Sequence, residues 1–260
     1  MSTTESRRGD LCAVVLAAGL GTRLRPLTNL LPKPLCPINN VPLLDLAIDS
    51  VRPFATDIAV NVHYLPGLIR EHLRESDIHI SDESGSLLGS AGALGHLHEW
   101  IAGRDVLVRN SDAYLTADLA ELVDGWDGQR PRLLGKRRSG ASDFGDIQYV
   151  GACLLPGSDV ARLPDEFASL YDVIWKPAFD RGEIDFVLTS GDFVDCGTPA
   201  DYLHANLIAS GGRSVIGPGA VVEGEVLRSV VWSNGRVGPD ELLTDCIRVG
   251  ADLTVEAAGD

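Results

Sequence analysis

A glycine-rich segment that contains arginine and is followed by a lysine is the part of this sequence best suited to chemistry. It reads LAAGLGTRLRPLT from Leu16 to Thr28, and Lys33 follows between two prolines. Glycines directly after a strand expose backbone N–H groups and let phosphate oxygens approach without a Cβ in the way. Arg23 and Lys33 supply the positive charge that a polyphosphate needs. The segment therefore predicts a polyphosphate-binding loop.

Spacing excludes two other kinds of glycine-rich loop. The dinucleotide-binding fingerprint needs a third small residue where Leu24 stands. The Walker A loop needs a Gly-Lys-Ser or Gly-Lys-Thr triplet, which this segment lacks.

Two aspartates are placed to bind a hard cation. Asp112 lies just past an apolar run that ends at Val108, and Asp195 ends a second apolar run. Ligands of open α/β sheets bind at the carboxyl ends of strands, and Mg²⁺ takes one or two protein carboxylates together with phosphate oxygens. Taken alone, each aspartate is more often a helix cap or a turn former.

Buried runs that alternate with helical spacing must position these residues. The run Leu11–Leu16 is wholly apolar, which is typical of a parallel strand buried on both faces. Similar runs follow, separated by helical stretches, so the sequence predicts an α/β fold with a mixed, mostly parallel sheet. The predicted strands are 11–16, 57–62, 77–80, 104–108, 132–134, 147–155, 185–189 and 192–194, and the predicted helices are 42–51, 66–75, 91–101, 167–181 and 199–209.

The residues after Gly211 have a different pattern. Aliphatic-Gly-small units such as VIGPGA at 215–220 recur there at spacings near multiples of six, which favours about two coils of a left-handed β-helix. A loose glycine-rich tail is the alternative. We therefore predict a flexible leader (1–10), a main domain (11–210) and a β-helix tail (211–260). The aliphatic ends of two coils need a neighbour, so we also predict a homo-oligomer.

The composition excludes several classes of partner. The 260 residues include 22 Lys and Arg against 37 Asp and Glu, a formal net charge of −15, so nucleic acid and anionic membrane are poor partners. No run approaches the roughly 18 apolar residues of a membrane span, and residues 1–10 lack a signal-peptide core. The five cysteines are dispersed without a C-x-x-C pair, which indicates neither disulfides nor zinc. We expect a cytoplasmic protein.

The loop and several later motifs together resemble the sugar-1-phosphate nucleotidyltransferases. These motifs are PKPL at 32–35, VNVHY at 60–64, Glu83 with LGSAG at 88–92, NSD at 110–112 and FVDCGTP at 193–199. They follow the family's order across residues 10–210. The resemblance is strongest to mannose-1-phosphate guanylyltransferases and N-acetylmuramate-1-phosphate uridylyltransferases.

The resemblance implies an enzyme with a Rossmann-like fold. Members of this family transfer a nucleotidyl group from a nucleoside triphosphate to a sugar 1-phosphate. A sugar-phosphate oxygen attacks the α-phosphorus in line, so pyrophosphate leaves and no covalent enzyme intermediate forms. The expected substrates are therefore a nucleoside triphosphate and a sugar or cyclitol 1-phosphate, with Mg²⁺ as cofactor.

The resemblance also implies roles for individual residues. Asp112 and Asp195 are expected to bind Mg²⁺ and, with Arg23 and Lys33, to form the catalytic set. The expected nucleotide-binding residues are Ala18, Gly19, Gly21, Thr22, Glu83, Gly89, Ala91 and Gly92. The lysine of the family's Glu-Lys-Pro motif, which holds the sugar phosphate, is not identifiable here, so the residues expected on that side are Asp143 and Gly151, with the basic triplet 136–138 as an alternative.

The nucleotide base and the function class leave alternatives. Glu83 favours GTP, because a carboxylate can accept two parallel hydrogen bonds from guanine, whereas uracil offers one ring N–H. A uridylyltransferase of the same family is the alternative. A regulatory homologue that binds a nucleotide sugar without catalysis would have lost one of the four catalytic residues, and all four are present. A structural module that assembles through its tail is a further candidate.

Overall fold

The computed structural model describes residues 11–257, so the predicted leader lies outside the described residues. The described chain forms two compact units, each built from separate stretches of sequence. The first contains the residues up to Gly19 together with Ala47–Ser111 and Leu115–Phe193. The second contains Leu20–Leu46, Asp112–Tyr114 and the residues from Val194 onward. The predicted division of the sequence at residue 210 stays a proposal.

Short strands and short helices alternate along the chain and are numbered in chain order. The strands are β1 (Leu11–Leu16), β2 (Pro37–Ile38), β3 (Val41–Pro42), β4 (Ile58–Val62), β5 (His79–Asp82), β6 (Asp105–Asn110), β7 (Ala113–Leu115), β8 (Arg132–Ser142), β9 (Gly145–Leu155), β10 (Asp185–Leu188), β11 (Phe193–Asp195), β12 (Val215–Ile216), β13 (Val221–Val222), β14 (Glu225–Leu227), β15 (Val230–Val231), β16 (Arg236–Val237), β17 (Leu242–Thr244), β18 (Cys246–Val249) and β19 (Leu253–Glu256). The α-helices are α1 (Leu43–Val51), α2 (Pro66–His72), α3 (Gly89–His96), α4 (His98–Ile101), α5 (Ala120–Val123), α6 (Gly157–Val160), α7 (Lys176–Asp180) and α8 (Pro199–Ala209). Within residues 11–257, no helix is long and apolar enough to cross a membrane.

A seven-stranded mixed sheet forms the first unit, in the order β10-β8-β9-β6-β1-β4-β5. Strand β1 pairs in parallel with β4 and β6, and β4 pairs in parallel with β5. Strand β9 runs antiparallel to both of its neighbours, and β10 runs parallel to β8. The predicted α/β class with a mixed, mostly parallel sheet is confirmed.

The central strands of this sheet are buried on both faces. Cys12 and Val14 on β1 are inaccessible to solvent and pack in one cluster with Leu94 of α3. Ala13 and Val15, which alternate with them along β1, are equally inaccessible. Burial of a large apolar side chain contributes about 1.5–3 kcal/mol. The wholly apolar sequence of β1 is therefore explained by cover on both faces.

Helix α3 packs against a neighbouring stretch of backbone at very short range. A Cβ added to Gly92 would lie 2.1 Å from the carbonyl oxygen of Glu166, and one added to Gly95 would lie 2.1 Å from that of Pro164. A backbone carbonyl cannot move aside as a flexible side chain can. These two glycines are therefore required by packing.

We predict that Gly92→Ala destabilises the protein by about 1–3 kcal/mol, because the added methyl group overpacks a backbone contact. Denaturant unfolding of the full chain measures the change. Gly85→Ala is the matched control, because a Cβ at Gly85 meets no atom within 4 Å. Equal stability of the two variants would contradict the packing explanation.

The second unit joins the chain around Lys33 to the C-terminal coils. One core cluster contains Leu24 and Cys36 from the N-terminal part, Tyr202 from α8, and Val230 and Ile247 from the coils. Three parallel ladders, β12-β15-β18, β13-β16 and β14-β17, give the repeated short rungs expected of a β-helix. Strand β19 then pairs antiparallel with β18, and α8 packs on both.

Some predicted elements differ in extent from the structure. The predicted helix 167–181 is a π-helical turn (Tyr171–Trp175) followed by α7, because Pro177 has no N–H to continue a regular helix. The predicted strands 132–134 and 147–155 extend into a long polar hairpin, β8 and β9. Helix α8 begins as predicted, with the Thr198 hydroxyl accepting from the N–H of Asp201 and Pro199 in the first turn.

Candidate functional site

A buried ammonium group shared by two carboxylates forms the centre of the candidate site, in the second unit. Lys33 Nζ donates to Asp112 Oδ2 at 3.2 Å and to Asp195 Oδ1 at 3.1 Å. The lysine side chain is 7% exposed, whereas the aspartate side chains are 48% and 46% exposed. The lysine is thus fixed from within, and the two carboxylates face outward.

A short ladder and a proline-flanked turn place these three side chains. Asp112 directly precedes β7 and Asp195 ends β11, and these two strands pair. The N–H of Cys196 donates to the carbonyl of Asp112 at 3.2 Å, which closes the ladder beside both carboxylates. Lys33 opens a 3₁₀ turn, Lys33–Leu35, with a proline on each side. Proline fixes φ, so the lysine backbone has little freedom.

Arg23 completes the cluster from the glycine-rich loop. Its Nη2 lies 3.2 Å from Asp195 Oδ2. A Cβ added to Gly197 would lie 2.7 Å from Arg23 Nη1, so a larger residue here would displace the guanidinium from its present position. The structure therefore brings together all four predicted catalytic residues, Arg23, Lys33, Asp112 and Asp195.

The glycine-rich loop is shaped by two different kinds of glycine. Gly21 has φ +61°, and its carbonyl accepts a hydrogen bond from Thr28 Oγ1 at 2.8 Å. An added Cβ there would lie 3.0 Å from Thr28 Cγ2 and 3.1 Å from Lys33 Cβ. Glycine at position 21 is therefore required by the backbone conformation and close packing of the turn. By contrast, a Cβ at Gly19 would meet nothing within 4 Å, which leaves its backbone open to an approaching ligand.

The charges of the cluster control the ionisation of Asp195. Its partial burial would raise the pKa, but the charges and hydrogen bonds of Lys33 and Arg23 outweigh this effect and hold the pKa of the carboxyl below its ordinary value of 3.8. Asp195 is therefore an anion at neutral pH. Two half-exposed carboxylates fit the small number of protein ligands that Mg²⁺ takes beside phosphate oxygens. Within residues 11–257, no group of three or more His, Cys, Asp or Glu side chains is arranged to hold a metal ion.

A second polar network lies in the first unit, around Glu83. The N–H of Ala17 donates to Asn61 Oδ1 at 2.7 Å, and Asn61 Nδ2 donates to Glu83 Oε1 at 2.7 Å. The N–H of Leu88 donates to Glu83 Oε2 at 3.3 Å. Both carboxylate oxygens of Glu83 therefore accept a hydrogen bond from inside the protein.

This network explains why residue 83 is Glu. The Ala17 N–H fixes the orientation of the Asn61 amide, so two donors, Asn61 Nδ2 and Leu88 N, converge on a side chain that must accept at both oxygens. Glu83 is only 3% exposed, and burial raises the pKa of its carboxyl although both hydrogen bonds oppose the rise. The predicted contact of Glu83 with a nucleotide base stays a prediction, and the geometry favours a role in positioning.

Other predicted nucleotide-binding residues have internal partners. The N–H groups of Ala91 and Gly92 both point to the carbonyl of Ala168, at 2.9 and 3.4 Å. Gly89 has φ +70°, and an added Cβ would lie 2.6 Å from the same oxygen. These three residues thus anchor the start of α3, and their contact with a nucleotide stays a prediction. Two further residues are predicted to bind the nucleotide: Ala18 is buried and Thr22 is exposed.

The predicted sugar-phosphate residues belong to the hairpin of the first unit. Asp143 accepts from the N–H of Tyr149 at 2.9 Å, and Gly151 has φ +83° with its carbonyl 3.2 Å from buried Arg109 Nη1. All three residues of the alternative triplet have partners in the first unit: Lys136 donates to the Gly191 carbonyl, Arg137 pairs with Asp146, and Arg138 donates to Gln148. These contacts favour a structural role for the triplet, and the sugar-phosphate roles of Asp143 and Gly151 stay predictions.

The fold and the cluster define an α/β protein with a lysine and an arginine paired to two half-exposed aspartates. Residues 12–149, more than half of the chain, match the profile of the nucleotidyl transferase family, and the chain belongs to that family. The resemblance that the motifs indicated is thereby confirmed.

Individual relatives cover the chain to different degrees. The N-acetylmuramate alpha-1-phosphate uridylyltransferase of Caulobacter vibrioides is 30% identical over 74% of this chain and 94% of its own length. A mannose-1-phosphate guanyltransferase of Aspergillus oryzae is 38% identical, over 43% of this chain and 33% of its own length. HddC of Yersinia pseudotuberculosis shares the fold, with a TM-score of 0.62 and 22% identity over 75% of this chain and 97% of its own.

The cluster predicts a change in ionisation when the lysine is removed. In Lys33→Met the pKa of Asp195 should rise, because the burial effect remains and the strongest opposing charge is lost. In the wild type, a carboxyl whose pKa is lower in the folded state than in the unfolded state stabilises the fold at every pH above the unfolded-state pKa. This stabilisation is lost as the pH falls through the folded-state pKa. The Lys33→Met variant should lack this pH-dependent stabilisation. Carboxyl ¹³C NMR titration measures the shift in the pKa of Asp195. Lys176→Met is the control, because it removes a lysine that forms an exposed ion pair with Asp180. An unchanged pKa would show that Lys33 does not govern the site.

Proposed function

We propose that this protein transfers a nucleotidyl group from a nucleoside triphosphate to a sugar or cyclitol 1-phosphate, with Mg²⁺, and releases pyrophosphate. The observation that carries this proposal is the contact of one buried ammonium group with two outward-facing aspartates, joined by Arg23. Such a cluster concentrates positive charge and metal-binding oxygens in a chain of net charge −15. The family and its sugar-phosphate relatives support the same reaction.

The residues of the cluster divide the work of the proposed reaction. Asp112 and Asp195 would hold Mg²⁺, which supplies charge neutralisation to the phosphates when bound. Lys33 is held rigidly and presents a fixed positive charge, whereas Arg23 is more exposed and can follow a phosphate group during its transfer. No side chain is needed as a nucleophile, because the sugar phosphate is itself the attacking group.

We expect Asp112→Asn and Asp195→Asn each to lower kcat by about 10²–10³, because each removes a negative charge that binds the metal while leaving the shape unchanged. Pyrophosphate release, measured across a Mg²⁺ titration, is the assay. Asp180→Asn is the control, since Asp180 pairs only with Lys176 on α7 among the contacts described. Near wild-type kcat at saturating Mg²⁺ would remove that aspartate from the metal site.

UTP is the donor that we propose, with GTP as the second candidate. The uridylyltransferase relative aligns over nearly its whole length, whereas the Aspergillus guanyltransferase aligns over a third of its own. The preference for GTP depends on Glu83, whose two oxygens already accept from Asn61 and Leu88. To read guanine, the base would have to reach the remaining lone pairs of a carboxylate that is only 3% exposed and already accepts one internal hydrogen bond at each oxygen.

The variant Glu83→Gln separates the two roles of this residue. If Glu83 is a positioning residue, the substitution should lower kcat/KM for all four triphosphates by a similar factor. It should also lower Tm, because the Gln amide places an N–H against a buried donor. As a guanine reader, it should lower kcat/KM for GTP alone. Rates for GTP, UTP, ATP and dTTP in wild type and variant decide, and exposed Glu75→Gln is the control. A wild type that prefers GTP would exclude the proposed donor.

The remaining expectations are also proposals. Cytoplasmic location accords with five cysteines that are all buried and free. A homo-oligomer is supported by aliphatic side chains that the coils leave exposed, namely Ile216, Val221, Val222, Leu227 and Leu242.

A further inference from the structure

Tyr202 lies at the centre of the second unit and links three parts of it. The residue projects from α8 and is fully buried. Its hydroxyl donates to the carbonyl of Pro37 and accepts a hydrogen bond from Trp232 Nε1 at 3.0 Å. A buried hydroxyl with both its donor and its acceptor used fixes the relative position of both partners. Trp232 directly follows β15, so the contact connects the C-terminal coils to β2.

Asn206, one helical turn further along α8, makes a second link to the same segment. Its Nδ2 donates to the carbonyl of Tyr202 at 3.0 Å and reaches that of Pro37 at 3.5 Å. Its Oδ1 accepts from the N–H of Asn39 at 2.9 Å. Asn40 Nδ2 then donates to the carbonyl of Ile216 on β12 at 3.1 Å. Residues 37–40 are therefore held by both α8 and the coils.

This segment continues directly from Lys33. The N–H of Cys36 donates to the carbonyl of Lys33 at 3.0 Å, so the turn that carries the lysine ends one residue before Pro37. Cys36 and Ile38, on either side of Pro37, are buried in one cluster with Tyr202 and Trp232. Displacement of Pro37 would therefore be transmitted to the lysine backbone.

We propose that Tyr202 and Trp232 are positioning residues for Lys33, and that the C-terminal coils are thereby part of the catalytic apparatus. The catalytic role of Lys33 rests on the proposed function, whereas the mechanical link stands on the hydrogen bonds alone. The prediction from sequence treated residues 211–260 as a separate tail. In the structure, Trp232 of this segment donates to Tyr202, which donates to Pro37; we call these two hydrogen bonds the relay.

The relay matters because Lys33 must satisfy two geometric conditions at once. Its ammonium lies within 3.2 Å of two different carboxylates, one directly before β7 and one at the end of β11. A misplacement of about 1 Å far from the reacting atoms can cost about a hundredfold in rate. Tyr202→Phe keeps the ring and removes only the hydroxyl, which leaves the Pro37 carbonyl and the Trp232 N–H without this partner.

The experiment uses the small number of lysines in the chain. Lys33, Lys136 and Lys176 are the only three, so selective ¹³Cε labelling of lysine gives three NMR signals that lysine-to-arginine variants assign. In Tyr202→Phe we expect the Lys33 signal to shift or broaden while the other two stay unchanged. We expect kcat to fall by about ten- to a hundredfold with a smaller change in KM. Trp232→Phe should show the same pattern more weakly.

Trp126→Phe is the matched control, because Trp126 Nε1 also donates to a carbonyl, that of Arg130, but in the first unit. An unchanged Lys33 signal in both relay variants, with only Tm reduced, would overturn the proposal. If Tyr202→Phe does not fold, Trp232→Phe alone decides. If the wild type transfers no nucleotidyl group, the proposed function fails while the Lys33 signal still tests the link.

Discussion

The burial of one ammonium group between two carboxylates is the constraint on which the second unit depends. A buried charge is costly unless it is paired, so Lys33 in its enclosed position requires both Asp112 and Asp195. That requirement explains other features of the unit. The β7–β11 ladder holds the aspartates, the two prolines restrict the lysine turn, and Gly21 and Gly197 make room for the groups around it. The same pairing leaves each aspartate half-exposed, which is the basis of the metal-binding role proposed for the two carboxylates.

In each unit a buried network of hydrogen bonds holds a loop segment in place. In the first unit, Asn61 joins the backbone of Ala17 to Glu83. In the second, Tyr202 joins Pro37 to Trp232. Both networks consist of directional hydrogen bonds among buried groups, where an unsatisfied partner costs more than a good bond contributes. Such networks specify one arrangement of a loop more sharply than apolar packing does.

Much of the first unit and the four charged residues of the cluster could be predicted from the sequence. Wholly apolar runs such as Leu11–Leu16 predict burial directly. The four charged residues of the cluster lie in motifs whose residue types indicate binding of phosphate or a cation, namely Arg23, Lys33, Asp112 and Asp195. The networks could not be predicted. Asn61 is a polar residue within a buried strand, a signal that could have been noticed, but its partners come from other strands and loops. Tyr202 and Trp232 resemble ordinary core residues of a helix and a coil, and Gly197 matters only because of a guanidinium distant in sequence. The full length of the polar hairpin is not predictable from the sequence, because its solvated strands carry no apolar pattern.

The second unit also has a consequence for synthesis of the protein. Its core contains Leu24 in one cluster with Ile247 and Val255, so residues far apart in the sequence must meet before the lysine turn has its support. A chain emerges from the ribosome N-terminus first, and contacts between distant residues form late because a long loop must close. The glycine-rich loop is therefore synthesised well before the residues that complete its supporting core. Synthesis of Ile247 and Val255 is therefore a condition for assembling the site, and a chain that terminates before them lacks this support even when every charged residue of the cluster is present.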